Sequence, residues 1–338
     1  MNPLSGLERP YSAGNKWITV QSELKGISGE NKEIKLEIMG DGMPRAVAFF
    51  DIDKTLAHLD FLYKEAINNI FPGNDADEII ETFIKGFRLG NSFREFDRMH
   101  NIYSEGKIEW KDPEVYIKER LNLEQEKIDS IGNIIHDRAA LYLKLYGEEA
   151  AKIADRIFIS NPEHFLSAQI GPLYTLLEIY KWQGVLMFGF TANAASFVKR
   201  LAVYLKLSDY FLDIATDETM EGGGKEIAVG KMLEIARNKG ILIPKEQLIF
   251  VGDSIRGDIG SGVHFCKNNM GFKGYGILVV EDAVALNEIR HLVNTDEYIN
   301  SIIKMIPTYA FVVNDVPKNK EGNPSLLSAD MDKFFFRL

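Results

Sequence analysis

The chain has 338 residues, 46% of them hydrophobic and 26% charged, with a formal net charge of −10 and a single cysteine, Cys266. The acidic balance argues against binding to nucleic acid or to anionic membranes, both of which rest on a surplus of Lys and Arg over one face. One cysteine excludes an intramolecular disulfide and a thiolate zinc cluster, and no run approaches the roughly 18–20 apolar residues of a membrane-spanning helix.

The length suits one large α/β domain plus a second unit, because single cores seldom grow past about 250–300 residues. At the N-terminus, Met1 to Lys16 lacks a continuous apolar segment after a basic start, so neither secretion nor membrane insertion is expected and a cytoplasmic location fits. Trp17–Val20 and Ile34–Ile38 flank a turn-rich stretch at Gly26–Asn31 and predict a β-hairpin within an N-terminal extension over 1–44. Ala46–Phe50 is a short apolar run that reads as a buried parallel strand, and it delivers Asp51, Asp53 and Thr55 at alternate positions. Alternate residues of an extended chain point to one side, so the three could converge on a ligand. Acids just past a strand are also common turn caps, and this stretch alone leaves both readings open.

Helical spacing dominates 58–169, with Phe61, Leu62, Ala66, Ile67 and Ile70, then Ile79, Ile80, Phe83, Ile84 and Phe87. Strand and helix then alternate. Pro172 starts a helix that runs to Trp182 and stops at Gly184, before the strand Val185–Phe190. Helices follow at about 195–205 and 225–239. Leu248–Val251 forms a strand that leads into Gly252-Asp253-Ser254, with further strands at Tyr275–Val280 and Tyr309–Val313. The segment from Pro317 to Asp332 is polar and turn-rich, a loosely attached tail before Phe334-Phe335-Phe336.

This alternation predicts an α/β protein with a three-layer, Rossmann-like parallel-sheet core. The expected division is an extension at 1–44, a core at 45–57 and 170–314, a helical insertion at 58–169 and a tail at 315–338. In such sheets the ligand crevice lies outside the carboxyl ends of the strands. Three polar clusters fall there: Asp51 with Asp53, Thr191 with Asn193, and Asp253 with Asp258. For a phosphate ester each has a use. A carboxylate can attack phosphorus, a second acid can move the proton, a hydroxyl and an ammonium can hold phosphoryl oxygens, and a hard cation such as Mg²⁺ can offset the repulsion between anions.

The motifs resemble those of the haloacid dehalogenase superfamily. The first is Asp51-Ile52-Asp53-Lys54-Thr55-Leu56, the second Phe190-Thr191-Ala192-Asn193, and the fourth Gly252-Asp253-Ser254-Ile255-Arg256-Gly257-Asp258. The third is a lysine near a helix start. Lys225, in Gly222-Gly223-Gly224-Lys225, is preferred for its glycine-rich approach, with Lys231 as the competitor. The resemblance implies Asp51 as nucleophile and metal ligand, and Asp53 as general acid and base that lends its backbone carbonyl to the metal. It implies Asp253 as the other carboxylate on Mg²⁺, with Asp258 and Ser254 behind it. Thr191 and Lys225 would bind phosphate, and Thr55 and Asn193 would help to hold the substrate. Position 54, commonly glycine in the family, is Lys54 here.

The helical insertion corresponds to a family cap domain. Within it Arg88, Arg94 and Arg98 lie near His100, and Arg94 is a candidate for a second substrate anion. His58 could line the entrance, and Cys266 reads as a small core residue. The expected activity is a Mg²⁺-dependent phosphatase acting on a small-molecule phosphate monoester. A phosphomutase, or a non-catalytic binding protein on the same scaffold, are the alternatives.

Overall fold

The computed structural model describes residues 16–26, 28–39, 42–70, 138–220, 224–316 and 333–338. The chain divides into two compact units, one of Met1–His58, Phe165–Thr191 and Ala202–Leu338, the other of Leu59–His164 and Ala192–Leu201.

The first unit is built on a seven-stranded sheet. Its strands are β3 (Ala46–Phe50), β4 (Val185–Phe190), β5 (Phe211–Ala215), β6 (Leu248–Gly252), β7 (Gly274–Val280), β8 (Thr308–Val312) and β9 (Phe335–Arg337), in the order β5-β4-β3-β6-β7-β8-β9. All pairings are parallel except that of β8 with β9. Strands buried on both faces should be apolar throughout, and β3, β4, β6 and β8 are wholly buried. Phe49 of β3 stacks between Phe188 and Phe250, with ring centroids 5.6 Å away on each side. The three central strands are thus locked side by side, with Phe50 in register with Gly189 and Val251.

The expected hairpin forms from β1 (Lys16–Lys25) and β2 (Asn31–Ile38), paired antiparallel. Its inward face carries Val20, Leu24, Ile34 and Leu36, together with a buried Ser22 whose hydroxyl is shared between the carbonyls of Phe211 at 2.9 Å and Leu212 at 3.0 Å. The hairpin therefore covers the edge strand β5. Where the helix Gly171–Trp182 ends, Gly184 adopts φ +70, and a β-carbon there would stand 2.7 Å from the Glu37 carbonyl oxygen. The glycine lets the turn before β4 meet the hairpin.

At the other edge Phe335–Arg337 pair with β8, and Phe335 stacks on Phe311 at 4.7 Å, while the expected loose tail, Pro317 to Asp332, lies outside the described residues. The aromatic run supplies enough apolar surface to dock three residues. Strand β5 and the helices Ala283–Thr295 and Glu297–Met305 are additions to the sequence reading.

Described residues of the second unit are helical, chiefly Asp60–Ile70 and Arg138–Ser160. Tyr63, Tyr146 and Phe197 form its aromatic centre, with pairwise centroid distances of 6.1, 6.3 and 6.2 Å. Residues 71–137, with Ile79–Phe87, Arg88, Arg94, Arg98 and His100, lie outside the described residues. No helix among the described residues is long and apolar enough to cross a membrane.

Candidate active site

Asp51 is the first residue beyond β3, and its N–H continues the ladder to β6 by donating to the Val251 carbonyl at 2.8 Å. The chain then turns tightly. Leu56 and Ala57 both donate to the Ile52 carbonyl, at 2.8 and 3.1 Å, and Lys54 donates to Ala57 at 2.9 Å. Lys54 sits at φ 57, in the left-handed region. That turn folds Thr55 back, so that its buried hydroxyl donates to Asp51 Oδ2 at 3.3 Å.

The second strand end is Gly252, followed by Asp253 and a π-helical turn over Ile255–Ile259. Ser254 organises this turn: its hydroxyl accepts the Gly257 N–H at 2.9 Å, and its own N–H donates to Asp258 Oδ2 at 3.0 Å. Asp258 folds back against the strand, where a β-carbon on residue 252 would stand 2.2 Å from its Oδ2. A glycine at 252 is a steric requirement of the bend.

Lys225 begins the helix Lys225–Asn238 and is buried. Its ammonium donates to Asp51 Oδ1 at 2.5 Å and to Asp258 Oδ1 at 2.6 Å, and lies 4.5 Å from the centroid of the Phe190 ring. Of the two lysines that the sequence left in competition, Lys225 reaches the carboxylates, while Lys231 donates to the Thr219 carbonyl at 2.7 Å.

Carboxylate oxygens of Asp51, Asp253 and Asp258 lie within 4.8 Å of one another. Burial pushes the Asp51 carboxyl up to about 8, against the pull of Lys225, and Asp258 and Asp253 add to the rise. Asp253 opens to solvent at the rim, yet desolvation among the surrounding groups, with Asp258 and Asp53 close by, pushes its carboxyl up to about 7. Burial works to discharge Lys225, but Asp258 and Asp51 outweigh it and raise its pKa, so the ammonium stays charged.

Crowded carboxylates poised to keep their protons are what a hard divalent cation would relieve, and an all-oxygen donor set suits one. Asp258 is held by Lys225 and the Ser254 N–H, and Asp51 by Lys225 and the Thr55 hydroxyl, while Asp253 is the exposed member of the cluster. The residues present therefore fit a divalent metal.

Asp53, half-buried, pairs in an isolated bridge with Ala57, and its charge bears on Asp253. Thr191 follows β4 directly; it is buried, and its N–H donates to the Ala215 carbonyl at 2.9 Å. Asn193 belongs to the second unit, where its amide donates to the Tyr63 hydroxyl at 3.2 Å. His58 is exposed. Cys266 packs against the core, and burial pushes its thiol up to about 11, out of the reactive range.

Two features escaped the sequence reading. Phe190 forms the floor beneath the lysine, and its only signal was its place as the last residue of an apolar strand. The Lys225–Asp258 bond gives Asp258 a second task, and nothing in the spacing of two residues 33 apart announces it.

No family model and no curated protein matches the chain. Among solved structures, a β-phosphoglucomutase from Clostridium difficile matches at 15% identity and a TM-score of 0.41, over 75% of this chain and 99% of that one. A haloacid dehalogenase-like hydrolase from Streptococcus pneumoniae matches at 16% and 0.40, over 69% and 84%. A putative hydrolase of the same kind from Bacillus subtilis, bound to magnesium, matches at 16% and 0.38, over 74% and 98%.

Proposed function

We propose that this chain, by its ordered motifs and the site they build a member of the haloacid dehalogenase superfamily, is a cytoplasmic Mg²⁺-dependent phosphatase of small-molecule phosphate monoesters. One observation carries the reading: Asp51 is buried at the end of the central strand, held by Lys225 at 2.5 Å and Thr55 at 3.3 Å, within the cluster that includes Asp253 and Asp258. A carboxylate so fixed, with one oxygen on an ammonium and the other on a hydroxyl, is oriented for attack and needs little reorganisation.

In the first half-reaction a carboxylate oxygen of Asp51 forms a bond to phosphorus as the ester P–O bond breaks, and Asp53 gives its proton to the departing oxygen. In the second, Asp53 takes a proton from water, the water oxygen bonds to phosphorus, and the bond to Asp51 breaks to release inorganic phosphate. Thr191 and Lys225 hold the phosphoryl oxygens, while Asp258 keeps the Lys225 ammonium in place. Mg²⁺, held by Asp51, Asp253 and the Asp53 carbonyl, would supply charge to offset the repulsion between carboxylate and phosphate.

Phosphate release from an aryl phosphate in the presence of Mg²⁺ tests this. Asp51→Asn should reduce it by at least about 10³-fold, since the mechanism has no other nucleophile, and chelation should abolish it reversibly. Release that survives in Asp51→Asn rejects the nucleophile.

A further inference from the structure

Asp51, Asp53, Asp253 and Asp258 gather beyond β3 and β6, and Lys225 bonds the inner pair, Asp51 and Asp258. Asp53 and Asp253 form the outer pair. The residue joining Asp53 to Thr55 is Lys54, half-buried in a turn closed by its own N–H to Ala57 at 2.9 Å. Its φ of 57 is a conformation that glycine adopts without steric penalty and lysine does not. Backbone geometry therefore gives no reason for a lysine here. Strain tolerated at a site is a pointer to what the side chain contributes.

We propose that Lys54 is a second cation of the phosphoryl site, which neutralises the outer carboxylates as Lys225 neutralises the inner ones. The assignment rests on the phosphatase reading above. Each ammonium at the site offsets one carboxylate charge. Without Lys54 the site would be one charge more negative, and it would bind a cation more tightly and an anion less well. Asp253 already senses this lysine, whose charge works against the rise in its pKa.

A metal-affinity change opposite in sign to an anion-affinity change distinguishes this role from a structural one. Calorimetry with Mg²⁺ on the metal-free protein, and with inorganic phosphate on the Mg²⁺-loaded protein, reads both. Lys54→Gln should bind Mg²⁺ about three- to tenfold more tightly and phosphate about three- to tenfold more weakly, the range expected for one partly solvated charge near the site. Lys54→Arg, which keeps the charge, should leave both near wild type. Lys54→Gly should shift both affinities as Lys54→Gln does while melting at a higher temperature than Lys54→Gln. If the wild-type protein binds both probes and Lys54→Gln leaves the two affinities unmoved, or lowers both together, the assignment is overturned alone. A wild-type protein that binds neither probe overturns the phosphatase reading and the assignment with it.

Discussion

Gly252 determines how closely the second acidic loop can approach β6. An added β-carbon would meet the Asp258 carboxylate at 2.2 Å and its Cβ at 2.4 Å, and Asp258 cannot retreat without leaving Lys225 and the Ser254 N–H. Gly252→Ala should therefore destabilise the protein by about 1–3 kcal/mol, as overpacked interiors do, and cost activity as well. Urea denaturation beside a phosphate-release assay checks both. A variant with unchanged stability would show that the loop shifts freely. At position 54 the expectation reverses: relief of a left-handed lysine should make Lys54→Gly more stable than Lys54→Ala by about 1–2 kcal/mol. The individual acids were legible because each ends a short apolar run. Their mutual bonding was not, because it depends on the missing side chain of Gly252 and on a helix start far along the chain.

At the level of elements, the hairpin covers β5 at one end of the sheet, and at the other the three-residue β9 pairs with β8 and leaves only a short edge. Exposed edges invite pairing with other chains, so these attachments protect as well as stabilise. Ser22 is the polar tie of the first, with its hydroxyl on two β5 carbonyls. Ser22→Ala should cost about 1 kcal/mol, read as a lower urea midpoint with an unchanged slope, whereas a changed slope would mean that the hairpin detaches as a unit. The hairpin strands, β3, β4, β6, β7 and β8 were legible from their apolar runs. Strand β5 was not, because Asp213 interrupts a run of five, and β9 was hidden because a three-residue strand has no period to detect. The helices Ala283–Thr295 and Glu297–Met305 were hidden by their shared polar boundary, where Asp296 ends one and caps the other through the Tyr298 and Ile299 N–H groups, each at 3.0 Å.

Over the whole molecule, the acids couple folding to pH and metal in one predictable direction. In the folded chain Asp51 titrates at about 8 and Asp253 at about 7, both far above an ordinary aspartate. A carboxyl raised on folding retains a proton that the unfolded chain has lost, so the metal-free protein should lose stability as pH rises from about 4 towards 8, and these groups add no further loss above that. Divalent cations bind the ionised carboxylates and compete with the same protons, so stabilisation by Mg²⁺ should be small near pH 5 and grow until about pH 8. Asp213 separates the two effects. Burial lifts its carboxyl to about 6, and the groups bearing on it are Ile214, Glu23 and Lys239 rather than the acidic cluster. Asp213→Asn should flatten part of the metal-free pH profile and leave the Mg²⁺ increment intact, while Asp253→Asn should remove that increment at every pH. Melting temperatures across this range, with Mg²⁺ and with chelator, provide the test. A Mg²⁺ increment that stays constant from pH 5 to 8 would mean that the ion binds away from these acids.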